Sequence, residues 1–150
     1  MVEVKKILFP VDFYESALKI LPVVKLMAEK LGAKIELVHV VRGSSDFVGY
    51  EMGTAWYSNY EDALIRGGEK AMDRFVEEKL AGLDVETTIA VGDVAEEIIK
   101  YADKTGADMI IIGTHGRKGL DKIMFGSVAK GVVKGAHCPV LTVNPYKVGK

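Results

Sequence analysis

The chain has 150 residues, 49% of them hydrophobic and 27% charged, with a formal net charge of −1. That length supports one ordinary domain with its own core, so residues 1–150 are expected to fold as a unit without staples. The composition excludes a disordered chain, and the near-neutral balance gives no global case for nucleic acid, so an anionic ligand needs a local site.

No apolar run is long enough to span a bilayer, and Lys5 and Lys6 lead directly into a strand instead of a signal-peptide core. No membrane role is expected. The one cysteine, Cys138, rules out an internal disulfide and a multi-cysteine metal site. It suits a reducing compartment, and a cytoplasmic location is expected.

Apolar stretches alternate with helical patterns along the whole chain. A first strand is expected over Val4 to Phe9, followed by a helix from Asp12 to Leu31. Asp12 with Glu15 reads as a capping box, Pro22 as a kink and Gly32 as the stop. A second strand covers Lys34 to Val41. The segment Arg42 to Asn59 is long for a connection, and its aromatics, Phe47, Tyr50, Trp56 and Tyr57, read as a cover over the domain or a partner. A second helix is expected from Tyr60 to Leu80, then a strand from Val85 to Val91 with alternating character. A third helix begins at Asp93, with Glu96 three residues on, and stops before Gly106. Met109 to Ile112 is apolar at every position, as a central strand covered on both faces should be. A fourth helix, Ser127 to Lys134, buries Val128, Val132 and Val133, with Gly135 as its stop. Val140 to Val143 forms the last strand, entered through Pro139.

This alternation predicts an α/β fold with a doubly wound, five-stranded parallel sheet in the order 3-2-1-4-5 and helices on both faces. In such a sheet ligands lie where the winding reverses, here beyond the C-terminal ends of strands one and four. Pro10, Val11 and Asp12 follow the first, and GTHGRKGLDKIMFGSV follows the fourth from Gly113. Gly113, Gly116 and Gly126 let backbone approach a ligand, and Ser127 opens a helix whose free N–H groups attract phosphate. His115, Arg117, Lys118 and Lys122 are candidate donors to an anion between the two turns. The residues alone point to an anion or nucleotide site. No Walker A, G-x-G-x-x-G or H-E-x-x-H pattern occurs.

Gly113-x2-Gly116-x9-Gly126-Ser127 resembles the G-x2-G-x9-G-[S/T] signature of the ATP-binding branch of the universal stress proteins, and it sits between strand four and helix four as in that family. The segments Pro10 to Ala17 and Gly135 to Val143 resemble the family's opening turn and closing strand. The resemblance covers nearly the whole chain and is weakest over Arg42 to Asn59. It implies an ATP site, with Mg²⁺ carried on the phosphates. Asp12 would lie near the ribose and metal, with Pro10 and Val11 in the same pocket. Val40 and Val41 would meet the adenine through backbone groups. Gly113, Gly116, Gly126, Ser127 and Val128 would cradle ribose and phosphate, with His115 and Arg117 within the loop. The edge strand Val140 to Val143 is apolar and lacks protecting charges, so a homodimer through it is expected, as the resemblance also implies; the alternative is that the tail from Asn144 to Lys150 folds back over the edge.

Plainer roles compete at several positions. Asp12 and Ser127 could serve only as N-caps, His115 and the Arg117–Lys118–Lys122 cluster only as solvated groups, and His39 as a hydrogen-bonded residue of the sheet. His137 with Cys138 lacks the further ligands of a metal site. Three functions follow. The favoured one is a nucleotide-dependent regulator read by an unknown protein partner, without dedicated catalysis. The others are a slow ATP hydrolase using Asp12 or His115, and a nucleotide-independent dimeric interaction module.

Overall fold

A computed structural model describes residues 2–43, 54–115 and 126–149, with 54–57 in backbone alone. The chain order is β1 (Lys6–Pro10), α1 (Glu15–Leu31), β2 (Lys34–Val41), α2 (Thr54–Lys79), β3 (Val85–Val91), α3 (Val94–Thr105), β4 (Met109–Gly113), α4 (Ser127–Gly135) and β5 (Val140–Val143). These strands form one parallel sheet in the expected order β3-β2-β1-β4-β5.

Each strand's alternation divides the core between the two sheet faces. Ile7, Phe9, Ile35, Leu37 and Ile111 point to the face covered by α1 and α2, against Ile20, Leu21, Val24, Met72 and Phe75. Leu8, Val38, Ile110 and Ile112 point to the opposite face, against Ile98 and Ala102 of α3 and Ala129 and Val132 of α4. β1 and β4 are interior strands of the sheet, so their middle residues, 7–9 and 110–112, are buried on both faces, which is why these stretches are apolar at every position.

Four expectations need correction. β1 starts two residues later than Val4, because the Lys5 and Lys6 N–H groups donate to Asp108 Oδ2 at 2.9 and 3.0 Å, and this acceptor holds the strand entrance. α2 starts at Thr54, not Tyr60. Its first turns hold Trp56, Tyr57, Ser58 and Asn59, middling helix formers whose spacing carries no apolar period. Gly135 does not stop α4 but belongs to it, and Ala136 is the cap. A Cβ at Gly135 would lie 2.7 Å from Ile99 Cδ1, so this glycine serves the approach of α4 to α3. Val133 is 48% exposed, since Ala129 and Val132 already fill the inward face of this short helix.

α3 follows expectation. Asp93 Oδ1 accepts from the Glu96 N–H at 3.1 Å, and Gly106 ends the helix in the left-handed region.

Candidate functional site

A cleft of about 750 Å³ opens beyond the C-terminal ends of β1, β2 and β4. It lies where the winding reverses between β1 and β4, and its volume is within the usual range for small-molecule sites. Of the residues singled out from sequence, Pro10, Val11, Asp12, Val40, Gly113, His115, Gly126, Ser127 and Val128 all line it. Val41 does not. Gly116, Arg117, Lys118 and Lys122 fall outside the described residues, as do Phe47 and Tyr50.

The difference between Val40 and Val41 follows from the ladder. The Val11 N–H donates to the Val38 carbonyl at 2.9 Å, and the Gly92 N–H donates to the Val41 carbonyl at 2.9 Å. Backbone groups of Val38 therefore face β1 and those of Val41 face β3. By the same alternation Val40 faces the β1 side, past the last β1 pair, Pro10 with Val38, where the cleft begins.

Asp12 is not the cap of α1. Its Oδ1 accepts from the Tyr14 N–H at 3.0 Å, closing an Asx-type turn, and Tyr14 occupies the N-cap position without a side-chain cap bond. The reason is Phe13, held at φ 66°, a left-handed residue that displaces the helix start to Glu15. The Asp12 carboxylate is thereby half-buried in the cleft, with no hydrogen-bond partner for Oδ2 among the described residues.

On the opposite wall Gly126 is the N-cap of α4, again without a side-chain cap bond, and Ser127 is the first helical residue. The opening N–H groups of this helix have no intrahelical acceptor, and their partial positive charge favours an anion in the cleft. The Gly126 N–H itself is engaged, donating to the Thr114 carbonyl at 2.6 Å.

His115 is 7% exposed. Its Nδ1 is 2.7 Å from Thr114 Oγ1, and its ring meets Tyr146 edge-on at 5.3 Å. Its Nε2 is buried without a hydrogen-bond partner among the described residues, so His115 is more than a solvated loop side chain.

The sequence reading overlooked Phe13, Tyr14 and Thr114, all in the cleft wall, and assigned His39 to the sheet alone. Thr114 lies inside the glycine spacing and could have been found there. A left-handed phenylalanine leaves no sequence signal. His39 is hydrogen-bonded as expected, with Nδ1 2.7 Å from the Val11 carbonyl, yet it also lines the cleft.

The universal stress protein family model matches residues 3–144. Universal stress protein MJ0531 of Methanocaldococcus jannaschii is 35% identical over 146 residues, covering 95% of this chain and 84% of its own. The solved structure of MJ0577 superposes with a TM-score of 0.81 at 32% identity, over 95% of this chain and 97% of that one. Two more distant structures hold nucleotides. One universal stress protein is in complex with cAMP (TM-score 0.63, 22% identity, 95% and 98% coverage). Another, from Archaeoglobus fulgidus, is in complex with dAMP (TM-score 0.56, 20% identity, 96% and 100% coverage).

Proposed function

Because the chain belongs to the universal stress protein family, we propose that its cleft binds ATP with Mg²⁺ and that occupancy regulates a partner protein. The observation that carries this reading is the cleft itself. It joins an apolar wall, Val40 with its outward backbone, to a carboxylate at Asp12 and an uncapped helix N-terminus at Ser127. A base, a metal-bearing sugar-phosphate and a phosphate chain have matching needs in that order. The cAMP and dAMP complexes of distant family members support the adenine nucleotide class, and ATP is the finer claim.

Asp12 fits a hard cation: it offers an oxygen ligand whose second atom is free among the described residues. No cluster of three or more His, Cys, Asp or Glu able to hold a metal occurs among the described residues, so the ion would arrive on the phosphates with Asp12 as its protein ligand. When bound, Mg²⁺ neutralises phosphate charge. Asp12 orients it, the α4 N-terminus binds the anion, and Val40 presents backbone groups to the base.

A second copy pairs at the β5 edge to form a homodimer that does not strictly require ATP. β5 has β4 on one side only. The Pro139 and Val143 carbonyls accept from Ile110 and Thr114, so alternation turns the N–H and C=O groups of Val140 and Thr142 outward. Isothermal titration of ATP, ADP, AMP and cAMP with and without Mg²⁺ tests the site, alongside chromatography of nucleotides released on denaturation. ATP binding enhanced by Mg²⁺ is expected. Absence of binding by every nucleotide would return the chain to the nucleotide-independent module.

A further inference from the structure

We propose that His39 and Phe13 are positioning residues for the cleft, holding the Asp12 carboxylate at the angle from which it meets a phosphate-bound cation. The inference rests on the nucleotide reading and names what sets that site's geometry.

Phe13 has a positive φ, 66°, and no other non-glycine residue does so among the described ones. The left-handed region is disfavoured for a bulky side chain and persists only where the surroundings enforce it. Here the enforcement is visible. The Phe13 ring lies 4.6 Å from the His39 ring, tilted by 44°, and 6.1 Å from Phe75 of α2, edge-on. Phe75 is buried in the core between the sheet and α2, so this socket is part of the folded scaffold.

His39 grips the same turn from its other end. Its Nδ1 is 2.7 Å from the Val11 carbonyl. A carbonyl only accepts, so Nδ1 carries the proton and donates. The two residues flanking Asp12, Val11 and Phe13, are therefore both held by His39, one by a hydrogen bond and the other by ring contact. Asp12 between them adds its own bond to the Tyr14 N–H, leaving Oδ2 for a ligand. Asp12 does not cap α1; its bond to the Tyr14 N–H closes the turn just ahead of the helix. Enforced strain beside a cleft, in a turn that keeps one carboxylate oxygen of Asp12 for a ligand, marks a turn shaped for what it presents.

The decisive experiment compares His39→Phe, which keeps the ring and loses the donor, with His39→Asn, whose amide nitrogen can stand where Nδ1 stands. Phe13→Gly is a further variant, which accepts φ 66° and removes the ring. Two readouts are taken: hydrogen exchange of the Tyr14 amide in the ligand-free protein, and ATP affinity with and without Mg²⁺ in Asp12 and Asp12→Asn backgrounds. His39→Phe and Phe13→Gly should raise Tyr14 exchange and weaken Mg²⁺–ATP binding by about tenfold, while His39→Asn restores the amide signal. The loss should vanish in the Asp12→Asn background, because a residue acting through Asp12 has nothing left to position. An unchanged Tyr14 amide, or an equal loss with and without Asp12, overturns the proposal. Wild-type protein that binds no ATP overturns the nucleotide reading instead, and the amide measurement still decides whether His39 holds the turn.

Discussion

The Gly126 N–H donates to the Thr114 carbonyl at 2.6 Å, joining the end of β4 to the cap of α4 across the cleft. Thr114 also donates its own N–H to the Val143 carbonyl at 2.9 Å and places Oγ1 on His115, so this residue connects the cleft, β5 and the buried imidazole.

That contact makes Gly126 the tighter of the two glycines of the spacing motif that lie among the described residues. A Cβ there would lie 2.9 Å from the Thr114 carbonyl oxygen, whereas one at Gly113 would meet its neighbours no closer than 3.3 Å. Gly126→Ala should therefore weaken ATP binding at least about tenfold, some 1.4 kcal/mol, and more than Gly113→Ala does. Titration calorimetry on folded variants checks the order, and equal affinities would remove the glycine turn from the site.

Asp12→Asn should reduce the Mg²⁺ enhancement of ATP binding about tenfold while changing stability by less than about 0.5 kcal/mol. Asparagine retains an oxygen for the Tyr14 N–H, so the turn survives and only the charge is lost. Denaturant melts and metal titrations separate the two effects.

Asp93→Ala should cost about 1 kcal/mol, read as a melting point lower by about 3 °C, because it removes the side-chain cap of α3. Asp93 does not line the cleft, so ATP affinity should stay at the wild-type value.

Leu141 packs against the core, and a lysine there would disturb the fold together with any dimer. Thr142→Pro is the cleaner probe, since it deletes an outward N–H at a sheet edge that tolerates proline. Sedimentation should show a dimer for wild type and a monomer for the variant, with native circular dichroism in both. A monomeric wild type at micromolar concentration refutes edge pairing.

Burial raises the Cys138 thiol above its ordinary pKa, with Asp103 and Asp108 adding in the same direction. The thiolate fraction at pH 8 is correspondingly small, so iodoacetamide should modify the native protein more slowly than a free thiol. Asp103→Asn should speed the reaction, and an unchanged rate would show that the carboxylate has no influence.

The strands, their order and the place of the cleft were legible in the residues. Hydrophobic alternation and helix-stop glycines such as Gly32 and Gly106 act through neighbours in sequence, and right-handed crossovers leave few topologies. The glycine spacing from Gly113 to Gly126 located one wall of the cleft for the same local reason. Tertiary structure alone decided the rest. Asp12 left the helix cap because His39 and Phe75, distant in sequence, hold Phe13 in a conformation no local preference would select. Gly135 became a contact with Ile99 instead of a stop, and Val40 was separated from Val41 by where β1 happens to end. Each of these outcomes depends on atoms brought together only by folding, and a linear pattern carries no record of such distances.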